Sequence, residues 1–342
     1  MPYFAARCSS PPGIRGGVSR PFLLVVLLAL PLQSGQDGFN WTEFHQQTAA
    51  LILNQRSSEA QLILEESIAA ARRRGDTGAG LAEALNDLGT LHHEVGRLSE
   101  AERAYKESVS VWSRIPGNHP KLGIALGNLG ALRLLQGRPS EAEKLYLKAE
   151  PVLASGFGSQ SSELATALCG LADVYSETGR YGKATEIAER ALVILEAHGD
   201  SSQLAGALFL LAKAAWKQDR AVEAERLLRR AIPIWQKTLG PRHSTTASGL
   251  ATLAVVLSRT MPDEASRLFR ESLDLIETEL GPDHIFAGFI LVDYASHLKA
   301  QGARKKAKEM KRRGEKILTE QARRAGQSHT VDVSVFQRPN AP

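Results

Sequence analysis

The stretch GRLSEAERAY (Gly96–Tyr105) returns 41 residues later as a near copy, GRPSEAEKLY (Gly137–Tyr146). The same frame recurs as RSSEAQLIL (Arg56–Leu64), GRYGKATEIA (Gly179–Ala188), DRAVEAERLL (Asp219–Leu228), MPDEASRLF (Met261–Phe269) and GARKKAKEM (Gly302–Met310). Their common alanine is Ala60, Ala101, Ala142, Ala184, Ala224, Ala265 or Ala307, so the interval stays between 40 and 42 residues. A period of roughly 20–50 residues kept through many copies marks a solenoid, in which each unit buries its apolar face only against its neighbours.

Upstream of six of these alanines stands a second small residue: Gly89, Gly130, Ala172, Ala212, Ala254 and Ala295. Leucines one and four places earlier, such as Leu85/Leu88 and Leu126/Leu129, share one helical face. This pattern predicts a first helix, A, whose small residue admits a close neighbour. Gly96, Gly137, Gly179 and Gly302 predict its end, where a left-handed turn favours glycine. A second helix, B, then starts at SEAE or SEAQ. Ser99 with Glu102, Ser140 with Glu143 and Ser58 with Gln61 have the spacing of capping boxes. Pro151 and Pro233 occupy the same place in two B helices and predict kinks there.

The 342 residues are 43% hydrophobic and 23% charged, the proportions of a water-soluble chain. Ala, Leu, Glu and Arg dominate from Thr42 to Arg324, which is helix-forming chemistry throughout. The formal charge of +5 is unevenly spread. Residues 304–324 carry ten Lys/Arg against three Glu, whereas the repeat body is acidic on balance, unlike a nucleic-acid footprint. Two cysteines, Cys8 and Cys169, supply neither a metal set nor, once a leader is removed, a disulfide.

Residues 1–36 hold Arg7, Arg15 and Arg20 without an acid, then the apolar run PFLLVVLLALPL (Pro21–Leu32). A membrane-spanning helix needs about 20 apolar residues, so this run reads as a cleaved signal peptide. No cysteine follows it to carry a lipid. The expected destination is secreted or periplasmic; retention by an uncleaved apolar segment is the alternative.

Leu88-Gly89, Gly96-Arg97, Ala101 and Tyr105 together resemble the tetratricopeptide repeat. The long period and the connectors Leu239-Gly240-Pro241-Arg242-His243 and Leu280-Gly281-Pro282-Asp283-His284 resemble the kinesin-light-chain type. The resemblance spans about residues 41–319 and implies an all-α, right-handed α-solenoid of six to seven helix pairs. Units are expected near 41–80, 82–122, 123–163, 164–203, 204–244, 245–285 and 286–319, with a basic helix end and an extended or disordered tail over 320–342. It further implies a concave wall of A helices that binds extended peptides.

If Leu208, Leu211 and Ala215 pack inward, the opposite stripe of that helix is Phe209, Lys213 and Trp216, an aromatic pair suited to anchor a partner. Equivalent wall positions are Asn86, Thr90 and His93, then Gly127, Ala131 and Leu134, then Cys169, Asp173 and Ser176. The kinesin-light-chain resemblance implies asparagines that clamp a peptide backbone; here only Asn86 and, one position along, Asn128 remain.

Other signals carry no chemistry. His92 and His93 are adjacent and point about 100° apart on a helix; His119, His243 and His284 belong to different units. Gly156-Phe157-Gly158 has no following lysine and reads as a linker. No cofactor, metal or catalytic constellation is indicated. The basic stretch Arg304–Arg324 reads either as a docking surface for phosphates or as a solvated helix closing the array. After it, SHTVDVSVF (Ser328–Phe336) alternates like a strand without a partner, and the tail is long enough to lie in the chain's own groove. These readings converge on an exported, non-enzymatic scaffold that binds a protein or peptide. A peripheral membrane or polyanion binder acting through residues 304–324 is the alternative.

Overall fold

The computed structural model describes Phe44, Thr48, Leu51 and residues 57–94, 96–117 and 119–324. The expected signal peptide (1–36) and the tail beyond Arg324, with its suggested place in the groove, lie outside these residues.

Within them the chain is all helix: α1 (Ser57–Arg73), α2 (Ala79–Glu94), α3 (Leu98–Arg114), α4 (Pro120–Leu135), α5 (Pro139–Phe157), α6 (Ser162–Glu177), α7 (Tyr181–Ala197), α8 (Ser202–Lys217), α9 (Ala221–Thr238), α10 (Ser244–Leu257), α11 (Pro262–Leu280), α12 (Ile285–Ala300) and α13 (Arg304–Arg324). Even-numbered helices are the A helices and odd-numbered ones the B helices. Each helix packs on its chain neighbours, and α2, α4, α6 and α8 also touch in succession, as do α10 and α12. The result is a two-layer solenoid. The periodic alanines are all buried, Ala60, Ala101, Ala142, Ala224 and Ala265 completely so.

The second small residue acts as the pattern requires. A Cβ on Gly89 would stand 2.6 Å from the Tyr105 ring, and one on Gly130 would stand 3.1 Å from that of Tyr146. The aromatic of each B helix thus fills the space that glycine opens. Ser108 and Ser272 sit at matching places four units apart, and each donates a hydrogen bond to an A-helix carbonyl, Ala82 O and Ala247 O.

The repeated ten residues form one turn. At the first, Gly96 N–H donates to His93 O and Arg97 N–H to His92 O, with Gly96 at φ 78°. The same two bonds recur at Gly137/Arg138, Gly179/Arg180, Asp219/Arg220 and Gly302/Ala303. Each is a paired C-terminal closure that satisfies helix-end carbonyls. At the fourth copy Asp219 takes the left-handed conformation itself, at φ 63°.

The capping boxes expected at Ser99/Glu102 and Ser140/Glu143 are not formed. The closure is so tight that its last residue doubles as the helix N-cap: Arg97 for α3 and Arg138 for α5, without a side-chain cap bond. Ser99 and Ser140 therefore lie inside the first turn. The glutamates expected to cap make ion pairs between units instead. Arg180 grips Glu143 with two bonds of 2.7 and 2.8 Å, and Arg97 reaches Gln61. Glu102 is gripped by Arg133, which is almost fully buried on α4 and also meets Glu141 at 3.2 Å, so one guanidinium joins α3 to α5. The Arg133 hydrogen bonds hold the Glu102 carboxyl well below the usual carboxylate range.

Real side-chain caps occur where the connector is longer. Ser161 and Ser201 accept from Leu164 N–H and Leu204 N–H, while the Nδ1 atoms of His243 and His284 accept from Thr245 and Phe286. A difference in stability follows. Ser201→Ala should cost about 1 kcal/mol, and Ser99→Ala, exposed within a helix, should be neutral or gain a few tenths. Urea midpoints of the two variants check this; equal losses would restore the capping box.

Pro151 and Pro233 leave α5 and α9 unbroken. Both are exposed, so the carbonyl that each leaves without its helical donor lies on the solvent side, where water can serve it.

Candidate functional site

Along the A helices, residues one period apart meet across the seams between units. On α2 and α4, Asn128 Nδ2 donates to Asn86 Oδ1 at 3.0 Å. Thr90 donates to Asn86 O and accepts from the Tyr105 hydroxyl at 3.2 Å, which fixes the outer turn of α2. His93 stands half-buried one turn on.

On α6 and α8, Lys213 Nζ sits between two carboxylates of one helical face, Asp173 Oδ1 at 2.9 Å and Glu177 Oε1 at 2.8 Å. Asp173 is fully buried, and its Oδ2 atom lacks a hydrogen-bond partner. Burial works against the Lys213 ammonium, but the charges of Asp173 and Glu177 more than offset it and raise the group above the ordinary lysine range. Burial would likewise raise the Glu177 carboxyl, and the Lys213 charge helps to hold the group below its usual range.

Two further charges belong to this wall. Lys217 is exposed, yet partial desolvation lowers its ammonium, and the neighbouring Lys213 charge adds to that. Burial pushes the Asp293 carboxyl up, against the pull of Lys217. The A-helix face between them, on α10, is short-chained, with Ala251, Val255 and Ser258. The wall thus has an amide end on α2 and α4 and an ionic centre on α6, α8 and α12.

The aromatic anchor requires correction. Phe209 is only 2% exposed, and its ring packs against Trp235 at a centroid distance of 5.5 Å. Helix α8 is enclosed by α6, α7 and α9, so its apolar surface runs nearly all round and Phe209 turns into the seam with α9. Trp216 is half-buried against the same core. Of the predicted stripe, Phe209 leaves the wall, Lys213 is engaged by Asp173 and Glu177, and Trp216 stays partly exposed.

The structure brings together Asn86, Thr90 and Asn128 at one end, and Asp173 and Lys213 at the centre. Glu177, Lys217 and Asp293 were not anticipated. A signal for the lateral pairs was present: Asn86/Asn128 are 42 residues apart and Asp173/Lys213 are 40, one period in each case. Among the described residues no three His, Cys, Asp or Glu side chains gather as a metal site, and His119 stacks on Trp112 at 4.2 Å. What the wall offers is hydrogen-bonding amides and fixed charges.

A family model described as tetratricopeptide repeat matches residues 48–112, 80–155 and 203–277, and a second of the same description matches 164–201. Among curated proteins, a clustered mitochondria protein homolog of Meyerozyma guilliermondii is 29% identical over 136 residues, 37% of this chain. That stretch is 10% of the relative, so the chain spans a small part of its length. Among solved structures, the apo form of RapI is 13% identical at a TM-score of 0.61, covering 85% of this chain and all of that one. Tetratricopeptide-like repeats of a putative kinesin light chain from Podosopora anserina are 20% identical at a TM-score of 0.48, covering 57% of this chain and 94% of that one.

Proposed function

The chain belongs to the tetratricopeptide-repeat family, whose arrays are protein-interaction scaffolds, and on that premise we propose that it is an exported, non-catalytic scaffold holding an extended peptide along the A-helix wall. The observation that carries this reading is the Asn86–Asn128 bond. An amide offers two N–H donors and a carbonyl with two lone pairs. With one bond spent on each other, the pair retains N–H groups on Asn86 and carbonyl capacity on Asn128. That complements the alternating C=O and N–H groups of a peptide backbone. The bond also holds both side chains in place beforehand, which reduces the entropy lost on binding. Gly127 and Ala131, small and on the same wall, leave room for the chain.

Export rests on the arginine-flanked apolar run Pro21–Leu32. N-terminal sequencing of secreted material tests it: a mature start after the run supports export, and a chain still beginning at Met1 opposes cleavage.

Peptide binding is tested by panning a displayed library of linear peptides on the folded chain. Binders should emerge, and Asn86→Ala/Asn128→Ala should weaken them about tenfold, the worth of one or two hydrogen bonds. Binders indifferent to both asparagines, or no enrichment at all, would defeat the backbone clamp.

A further inference from the structure

We propose that the outward face of α13 docks the scaffold onto an anionic membrane surface. Charges pair from helix to helix along the B layer. Arg72 of α1 pairs with Glu107 of α3, Glu150 of α5 with Arg190 of α7, Glu196 of α7 with Arg230 of α9, and Arg229 of α9 with Glu264 of α11. In each of these pairs a B-helix cation meets an acid of the adjacent B helix. On α13 Arg313 is held in the same way, by Glu277 of α11 at 2.7 Å.

On its outer side Arg304, Lys305, Lys306, Lys308, Lys311, Arg312 and Lys316 are all exposed. Lys311 and Lys316 have the weak attention of Glu315 and Glu320, at 3.6 and 3.9 Å. The other five make no ion pair among the described residues. Lys305, Lys308, Arg312 and Lys316 fall at i, i+3, i+7 and i+11, one stripe of the helix. Arg304 to Lys316 spans about 18 Å at 1.5 Å per residue.

Packing does not demand this display. Ala307, Ile317 and Leu318 are buried on the opposite face, and a Cβ on Gly314 would come within 2.8 Å of Gly288 O, so α13 lies hard against α12. None of the exposed large apolar side chains belongs to α13, so docking is electrostatic and does not require insertion.

The shape of the charge distribution selects a plane over a polyanionic strand. Residues 39–303 carry 28 Lys/Arg and 32 Asp/Glu, and the adjacent α11 has six acids against two arginines. A nucleic acid long enough to follow the solenoid would meet acidic helices, whereas a flat surface can touch the terminal helix alone. Anionic lipid attracts each nearby Lys or Arg, so removing three should weaken binding roughly 100-fold.

The test is co-sedimentation of the full chain with phosphatidylcholine vesicles, with or without roughly 30% phosphatidylserine, in about 0.1 M salt. Binding should require phosphatidylserine and fall as salt rises. It should weaken roughly 100-fold in Lys305→Ala/Lys308→Ala/Arg312→Ala with unchanged circular dichroism. Glu309→Lys, which adds a cation to the same surface, should tighten it, and this holds the proposal to account should the triple variant misfold. Equal binding to neutral vesicles would assign the contact to the apolar leader and overturn the proposal. So would indifference to both variants, or tighter binding to a DNA duplex than to the anionic vesicles.

Discussion

Gly170→Ala should lower the stability of the array by about 2 kcal/mol, although glycine-to-alanine in a helix interior ordinarily gains up to about 1 kcal/mol. Gly170 lies on α6, where an added Cβ would fall 2.3 Å from Cζ and 2.4 Å from the hydroxyl of Tyr146. Tyr146 cannot give way. It is 4% exposed and already fills the space beneath Gly130, with Ala142 and Ala149 of its own helix buried completely. Overpacking of this kind costs about 1–3 kcal/mol, which outweighs the propensity gain. The control is Gly182→Ala on α7, where a Cβ meets nothing within 4 Å; only propensity operates there, and stability should rise by up to about 1 kcal/mol. Urea unfolding of both variants decides the matter, because the expected shifts have opposite signs. Two upward shifts would mean that α6 does not approach α5 as closely as Tyr146 requires. Tyr146→Leu placed beside Gly170→Ala should recover part of the loss.

Lys213→Met should be the costlier change, at about 3–5 kcal/mol. The substitution preserves length and apolar contact but strips the counter-ion from Asp173, a carboxylate with no exposed surface. An ion pair of this kind need not stabilise the fold, because desolvation consumes most of the attraction; breaking one side of it is what costs. Asp173→Leu/Lys213→Met, in which leucine keeps the branching of aspartate, should therefore return most of the lost stability. The pH dependence has a definite sign. In the native chain the lowered Glu177 carboxyl contributes stability above its ordinary value of 4.5, and that contribution is lost as pH falls below it. In Lys213→Met that counter-charge on Glu177 is gone, so acidification should cost the variant less stability than it costs the native chain. A single variant with unchanged urea midpoint would show that the ionic centre is solvated rather than built into the wall.

The candidate site was legible where it follows the period and illegible where it depends on enclosure. Asn86 with Asn128 and Asp173 with Lys213 are separated by one repeat, so they occupy adjoining positions on successive A helices, and their pairing is a consequence of translation along the array. Phe209 was misplaced because one helix viewed alone has an apolar and a spare face. On helix α8 the face that carries Phe209 is closed once α6, α7 and α9 surround it. Glu102 and Glu143 were misassigned for a related reason. Their spacing from Ser99 and Ser140 satisfies the local rule, but the turn leaves no room for a separate cap, and arginines from the following unit claim them.

The amino-acid sequence by itself determined the helix pairs, their period, the glycine-closed turns and the burial of the recurrent alanines. Backbone conformation and close approach are set within a few residues and then repeated. Only the tertiary structure decided which polar groups meet: Arg133 with Glu102 and Glu141, Lys213 between Asp173 and Glu177, and the outward cations of α13 beyond the last acidic neighbour. Such pairings depend on distances between side chains a whole repeat apart, and those distances exist only once the units have stacked.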